Sequence, residues 1–513
     1  MKAQRGEPKR RCARAVGAAE EAARARTERL RCARAGGAPL VVMLCAALAL
    51  AGCVSSAGIA PEAKALDAAR VGVDANAPAA AVTDRWWQAF GQSDLDTLVE
   101  TALAANPNLA LARSRIERAT AATDAAHANA APRVDGRLDL QRQRYSENGL
   151  VPPPIAGSIG NTGLLQLTGS WEIDFFGKNA AALGAALGTQ RAAEADAQAA
   201  RVLLAANVAR AYFQLARLFE QRAVAERALA QREEILALIR QRVEAGLDTN
   251  VELRQGEAAV PETARQIEVI DEQIALVRHA LAALTAQPPG ALAALRPRLQ
   301  AVHAVALPAA IPADLLGRRA DVEAARERVE AATHDVAYAK TLLYPNVNLI
   351  AFAGLSSLGM SRLVNAGSEE YGAGVAIHLP IFDAGRLRAN VRAKTADLDA
   401  AVDSYNAALL DAVRDVADQI ASAQSVVRQL TKQAEAQARS EQAYDLALQR
   451  FRAGLGTYLT VLSAELEVLA QRRLGADLKA RELDTQVALA RALGGGYDAA
   501  AQAQLSNRAV AAR

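Results

Sequence analysis

Residues 386–453 read RLRANVRAKTADLDAAVDSYNAALLDAVRDVADQIASAQSVVRQLTKQAEAQARSEQAYDLALQRFRA, a run without glycine or proline, framed by Gly385 and Gly454. At 1.5 Å of rise per residue this predicts a helix of about 100 Å. Such a helix is not stable alone and cannot be buried in a globule, so it must lie along partner helices. The composition agrees. Hydrophobic residues make up 51% of the chain but aromatics only 4%. That balance suits long, alanine-rich helices packed at close range rather than a compact core of large side chains.

The same frame occurs earlier. Gly177 and Gly246 are as far apart as Gly385 and Gly454, with only Gly184 and Gly188 near the start of the intervening run. Arg242-x-x-Ala245-Gly246-Leu247-x-Thr249 matches Arg450-x-x-Ala453-Gly454-Leu455-x-Thr457 at an offset of 208. Arg113–Thr120 matches Arg326–Thr333, and Ala131-Pro132-Arg133-Val134 matches Tyr344-Pro345-Asn346-Val347, both at 213. A period this long is a duplicated domain rather than a solenoid repeat. Ala199, Ala206 and Ala209 permit close helix approach in the first long run, where Tyr212, Phe213 and Leu215 add bulk. Shorter helices over 94–131 and 248–287 flank it, the first broken at Asn106-Pro107 and the second kinked at Pro261.

Between the proline and glycine landmarks of each half the pattern changes to period two. Leu165, Leu167, Gly169, Trp171 and Ile173 alternate with Gln166, Thr168, Ser170, Glu172 and Asp174. Tyr371, Ala373, Val375, Ile377, Leu379 and Ile381 share a face. Val134, Gly136, Leu138 and Leu140 alternate with Asp135, Arg137, Asp139 and Gln141, while 347–355 alternates less cleanly. Strands of this length with one apolar face cross a membrane obliquely. Two hairpins, 133–176 and 346–384, supply too few strands to close a barrel that needs about eight. A membrane sheet tolerates no open edge, so the chain is expected to share its barrel with copies of itself. A soluble α+β protein with two surface hairpins is the competing fold.

Residues 1–52 carry 11 basic and 4 acidic side chains, and the rest of the chain 48 and 52. Without the N-terminus the balance is slightly acidic, so no basic stripe is left for nucleic acid. Cys12, Cys32, Cys45 and Cys53 all lie near the N-terminus, which excludes a disulfide framework in the body. An arginine-rich stretch ending at Arg34, a short apolar run from Pro39 to Leu50 and the tetrapeptide Leu50-Ala51-Gly52-Cys53 form a secretory signal. The stretch before Arg34 is longer than a signal needs, which suggests a start farther downstream. The tetrapeptide resembles a bacterial lipobox, which implies cleavage before Cys53 and its acylation with diacylglycerol and palmitate. Val54, where an Asp would signal retention in the inner membrane, allows export to the outer membrane.

Arg85-Trp86-Trp87-x-x-Phe90, Leu95-Asp96-x-Leu98 and Ala104-Ala105-Asn106-Pro107-Asn108-Leu109 resemble the start of mature NodT-type outer-membrane efflux lipoproteins, relatives of the TolC channel. Trp171–Gly177 and Leu379–Gly385 look like that family's two strand-to-helix exits. Ile311-Pro312-Ala313-Asp314-Leu315-Leu316-x-Arg318-Arg319-x-Asp321-Val322 resembles its most specific internal motif, with Ala320 where the family usually has proline. The resemblance covers about 50–495. It implies a mainly α protein with a transmembrane β-barrel: a homotrimer whose barrel of twelve strands continues as a helical periplasmic tunnel. Its expected organisation is a signal peptide 1–52, an anchored segment 53–93, a first repeat 94–287, an equatorial crossing 288–312, a second repeat 313–494 and a tail 495–513. Implied partners are a periplasmic adaptor, an inner-membrane pump of the RND class and outer-membrane lipid. The implied function is the exit duct of a tripartite efflux system for drugs or other small toxic molecules. An exit duct for secreted proteins (type I secretion) and a non-transporting periplasmic coiled-coil scaffold are the alternatives.

By the same resemblance the turns at Gly246-Leu247 and Gly454-Leu455 are tips that contact the adaptor and close the tunnel. Leu459 corresponds to an apolar gate residue, or else is ordinary coiled-coil packing, and Glu252 to an acidic position of the first tip. Ser463 stands where the family often has an Asp ring, for which Thr460 and Glu465 are poor replacements. Glu172 and Asp174, two apart on a strand, are expected to line a lumen rather than work as an acid/base pair. Among His127, His279, His303, His334 and His378 none pairs at metal-ligand spacing, and His334-Asp335 reads as a solvated helix face. No HExxH, phosphate loop or G-x-S-x-G turn occurs. No enzyme activity, catalytic residue, metal site or cofactor is expected beyond the lipid on Cys53.

Overall fold

The computed structural model describes residues 55–66, 82–302 and 318–497. These fall into two compact units. A sheet unit is built on Arg133–Phe176 and Ala339–Ala393, with residues 55–59. A helical unit takes the described residues of Ala60–Pro132 and Gly177–Tyr338 and those from Lys394 to Tyr497.

In the helical unit a 3-10 turn, Trp86–Phe90, precedes α1 (Ser93–Ala105) and α2 (Pro107–Ala128). Pro107 is the first residue of α2, where its missing N–H costs nothing. Asn106 caps that helix through Asn108 N (2.9 Å), and its amide donates to Leu284 O (2.8 Å). The long helices follow as expected: α3 (Lys178–Glu244) and, later, α6 (Arg386–Arg452), each of 67 residues. Their shorter companions are α4 (Asn250–Leu284), α5 (Ala320–Thr341) and α7 (Tyr458–Ala492). Pro261 lies inside α4, which continues through it.

Helix α3 is covered by α1, α2, α4 and α7. Ala206, Ala209, Tyr212, Phe213 and Leu215 sit in one buried cluster with Trp87 and Phe90. Phe90 meets Phe213 edge-on at 5.0 Å between ring centres, the arrangement that aromatic quadrupoles favour. The two glycines peculiar to the first long run have a steric reason. A Cβ on Gly188 would lie 2.9 Å from Ala331 N, and one on Gly184 would lie 2.7 Å from the His334 ring. Backbones of α3 and α5 therefore approach more closely than alanine allows. His334 is half-buried against Gly184, and Asp335 pairs with Lys394 at 3.0 Å. The expected solvated face at His334-Asp335 is thus corrected in part: His334 packs on α3, while the Asp335 side chain remains 42% exposed.

The sheet unit is one antiparallel sheet in the order β1 (Arg133–Arg144), β2 (Ile159–Ile173), β3 (Asn346–Leu358), β4 (Glu369–His378). Its register pairs Leu138 with Leu165, Leu165 with Leu355, and Leu349 with Val375. One face therefore gathers Val134, Leu138, Leu140, Leu165, Leu167, Trp171, Val375 and Ile377, all exposed. The other carries Arg133, Asp135, Arg137, Asp139, Gln166, Thr168 and Glu172. Strand β3 alternates poorly because Ile350 and Phe352 lie on this second face, with the Phe352 ring over Gly372. The apolar alternation foreseen to Ile381 stops at His378, because Pro380 has no N–H for a ladder.

Phe175, Phe176, Tyr344 and Phe382 are exposed next to the strand ends that lead to or from helices. Phe176 and Tyr344 stack at 5.0 Å. In the same unit the Arg388 guanidinium donates to Ser55 O (2.8 Å) and Ala57 O (3.1 Å). In the helical unit Asp399 accepts from Glu62 N and Ala63 N, and Asn406 bonds Leu66 N and Lys64 O.

Helix α7 and its cap residue Leu493 are followed by Gly494-Gly495-Gly496, with φ of 95°, 57° and 84°. A Cβ on the first would lie 1.8 Å from Arg318 O, on the second 2.5 Å from the Val202 side chain, on the third 2.4 Å from Asp84 N. Three segments distant in sequence thus converge on backbone that cannot carry a side chain. Gly494→Ala is expected to cost about 4 kcal/mol and to leave little protease-resistant protein. Gly177→Ala, at a positive φ with open space around it, should cost only about 1 kcal/mol in the same proteolysis assay.

Candidate functional site: the paired helix reversals

Helices α3 and α6 end alike. Gly246 and Gly454 adopt φ of 72° and 75°, which lets the chain reverse while the last carbonyls keep partners. Leu247 N donates to Arg242 O and Leu455 N to Arg450 O, both at 2.8 Å. Gly246 N donates to Val243 O and Gly454 N to Phe451 O, both at 3.0 Å. In this motif the residue after the glycine commonly packs back on its helix. Here Leu247 and Leu455 instead point outward, 66% and 71% exposed.

The restarts differ. Thr249 opens α4 by accepting from Val251 N (3.1 Å), while the Glu252 carboxylate accepts from Thr249 N (2.9 Å) and from its hydroxyl. This reciprocal cap occupies Glu252, and the bonds from Thr249 hold its carboxyl below the usual range. The T-x-x-E spacing was readable in the sequence. At the second reversal Thr457 makes no side-chain cap; its hydroxyl lies 3.1 Å from that of Thr460. Leu459 is exposed in the first turn of α7. Ser463 Oγ donates to Leu459 O at 2.8 Å, so its hydroxyl is turned onto its own helix.

A buried cluster of Ile235, Ile239, Tyr444, Phe451, Tyr458, Val461 and Val468 joins the two reversals. Arg242 adds a polar clamp. Its guanidinium forks onto Asp248 (2.8 and 3.1 Å), lies 4.7 Å from the centre of the Phe451 ring, and reaches Phe451 O at 3.4 Å. Farther back along α3, Arg232 pairs with Glu465 at 3.1 Å, with side chains only 8% and 4% exposed. Arg232 also donates to Thr263 Oγ1 (2.7 Å) and Ala259 O (3.3 Å), on either side of Pro261. Burial pushes the Glu465 carboxyl up and the Arg232 charge opposes it. Sequence reasoning missed Arg232 and Asp248 and took Arg242 only as a repeat landmark, because their partners come from other helices or from within a turn.

The structure thus brings Gly246, Leu247 and Glu252 together with Gly454, Leu455, Leu459, Thr460 and Ser463 around one hydrophobic cluster. Glu172 and Asp174 belong to the sheet unit; Glu172 is on the polar face of β2 and Asp174 follows the last strand residue. Cys53 and residues 311–317 of the internal motif lie outside the described residues. Of that motif's remainder, Arg319 pairs with Asp321 (2.5 Å) and Asp415 (3.5 Å) and donates to Ala492 O at the end of α7. Among the described residues no group of three or more His, Cys, Asp or Glu is placed to hold a metal. No described helix is long and apolar enough to cross a membrane.

A four-stranded sheet with one lipid-compatible face, in a chain with two 67-residue helices and matched tips, defines an outer-membrane channel of the efflux type. The chain belongs to the outer membrane efflux protein family, whose model matches residues 98–287 and 311–495. It is 32% identical over 421 residues to the multidrug resistance outer membrane protein MdtQ of Escherichia coli O157:H7, covering 80% of this chain and 88% of that protein. It is 38% identical over 376 residues to the fusaric acid resistance protein FusA of Burkholderia cepacia, covering 70% of each. The outer membrane protein VceC of Vibrio cholerae has a similar structure, with a TM-score of 0.77 and 33% identity over 81% of this chain and all of that one.

Removing one member of a buried ion pair strands the other, at a cost of about 3–5 kcal/mol. Glu465→Ala should therefore lower stability by about that much in chemical denaturation followed by helical circular dichroism. The double change Arg232→Leu with Glu465→Leu should cost clearly less.

Proposed function

We propose that the protein is the lipid-anchored, trimeric exit duct of a tripartite pump that expels small toxic organic molecules, with a periplasmic adaptor and an RND-type inner-membrane pump as partners. The observation that carries this reading is the sheet. Its four strands present an apolar face and leave β1 and β4 as edges without a partner strand among the described residues. In hydrocarbon each unpaired backbone group costs several kcal/mol, and closure by further copies removes that cost. Resistance to fusaric acid and multiple drugs among the relatives supports small organic cargo. The channel fold, rather than any catalytic constellation, accounts for the activity.

Anchoring is proposed at Cys53, two residues before the Ser55 carbonyl held by Arg388. That clamp lies in the unit that carries the lipid-compatible face and the aromatic residues Phe176, Tyr344 and Phe382, residue types enriched where membrane meets water. The gate is proposed at the reversals. Copies of Leu459 brought together on an axis exclude water and block ions. With Glu252 occupied as a cap and Ser463 bonded to its own helix, an acidic ring contributes less here than an apolar constriction.

Light scattering in detergent should give a trimer. Leu459→Ala should raise single-channel conductance severalfold in planar bilayers while leaving the trimer intact. A monodisperse monomer, or unchanged conductance in the variant, would overturn the shared barrel or the gate respectively. Cys53→Ser should lose incorporation of labelled palmitate yet still insert, since strands rather than lipid would span the membrane; label retained in the variant refutes the anchor.

A further inference from the structure

The two reversals are copies of one design, and one difference between them has a chemical consequence. Arg242 and Arg450 occupy equivalent positions, each accepting the Schellman bond from the leucine of its tip through its carbonyl. The Arg242 guanidinium is consumed internally by Asp248, with side chains 14% and 11% exposed. The residue equivalent to Asp248 in the second reversal is Gly456. Arg450 is exposed, and its side chain makes one hydrogen bond, to Leu455 O at 3.4 Å. No carboxylate lies within ion-pair distance of it among the described residues. The neighbouring Arg452 holds Glu234 at 2.7 Å, so that carboxylate is already engaged.

Gly456 is not there for its backbone, since it is absent from the positive-φ glycines that include Gly246 and Gly454. A Cβ at this position would lie 3.5 Å from Arg450 Cβ and 3.4 Å from Phe451 N. An aspartate there would therefore stand beside Arg450, as Asp248 stands beside Arg242. The first tip is neutralised from within; the second presents a guanidinium without a carboxylate partner among the described residues, on a turn whose Leu455 and Leu459 are also exposed.

Building on the pump reading above, we infer that Arg450 is a docking residue for a carboxylate at the tip of the adaptor, with Leu455 as its apolar neighbour. An exposed ion pair contributes little, but a charge pair desolvated in an interface is costly to break from one side. The arginine fork suits a bidentate carboxylate contact. The alternative occupant is an acidic group of a neighbouring copy of this chain.

The test uses the full-length channel in its host with epitope-tagged adaptor and pump from the same genome. A photocrosslinking residue at Leu247, on the other tip, reads contact with the adaptor, and ethidium efflux reads function. Arg450→Glu and Gly456→Asp should each lower the crosslink yield at least tenfold and slow efflux. Gly456→Ala, which adds the Cβ without the charge, should stay within twofold of the unsubstituted channel. Wild-type levels of crosslinking in Gly456→Asp overturn the inference. So does a rise in the conductance of purified Arg450→Glu trimer without adaptor, which assigns the residue to a neighbouring copy. If the unsubstituted channel gives no crosslink, the adaptor reading itself fails and takes this inference with it.

Discussion

In hydrocarbon a backbone N–H or C=O has no water to turn to, and this constraint organises the rest of the chain. Strands β1 to β4 satisfy one another in sequence order, but the outer flanks of β1 and β4 have no partner strand among the described residues. The apolar face makes membrane the suitable solvent, and membrane makes those flanks intolerable. Shared closure with further copies is the proposed resolution. The long helices meet a related constraint in water: α3 is stable because α1, α2, α4 and α7 surround it.

Duplication supplies such matched parts readily, and the two halves show where equal geometry conceals unequal chemistry. Both reversals end on a left-handed glycine and share the two bonds from that glycine and the leucine after it. Yet the first is tied down by Arg242, Asp248 and the Thr249–Glu252 cap, whereas the second has Gly456, an uncapping Thr457 and an Arg450 with no carboxylate partner among the described residues. Likewise Gly184 and Gly188 bring α3 against α5, while α6, lacking glycine throughout, packs on α5 through Val336, Leu398 and Val402. One half is the more firmly locked at its tip; the other leaves more of its polar groups without partners of opposite charge among the described residues.

Much of this was legible in the residues, because the strongest features are periodic or absolute. Period-two alternation placed β1, β2 and β4, and the run without glycine or proline placed α6 almost to the residue. Strand β3 was harder because Ile350 and Phe352 face the polar side, where Gly372 seats the phenyl ring. The site was less legible. Repeat matching recorded Arg242 and Arg450 as identical and treated the residue before each threonine as variable. That variable position, Asp248 or Gly456, decides whether the arginine is bound. His334 read as solvated because its burial depends on Gly184, well over a hundred residues earlier. Arg232 and Glu465 are ordinary charged residues in helices until tertiary packing places them in contact.

The glycine junction after α7 also sets an order in time. Gly494, Gly495 and Gly496 lock onto Arg318, Val202 and Asp84, so a chain emerging N-terminus first cannot make this junction until residue 496 has appeared. Until then its segments lack their common keystone. A polypeptide that must be threaded through one membrane before it settles in another has reason to place a late fastening there, and to make it of residues that only a correctly assembled neighbourhood can accept.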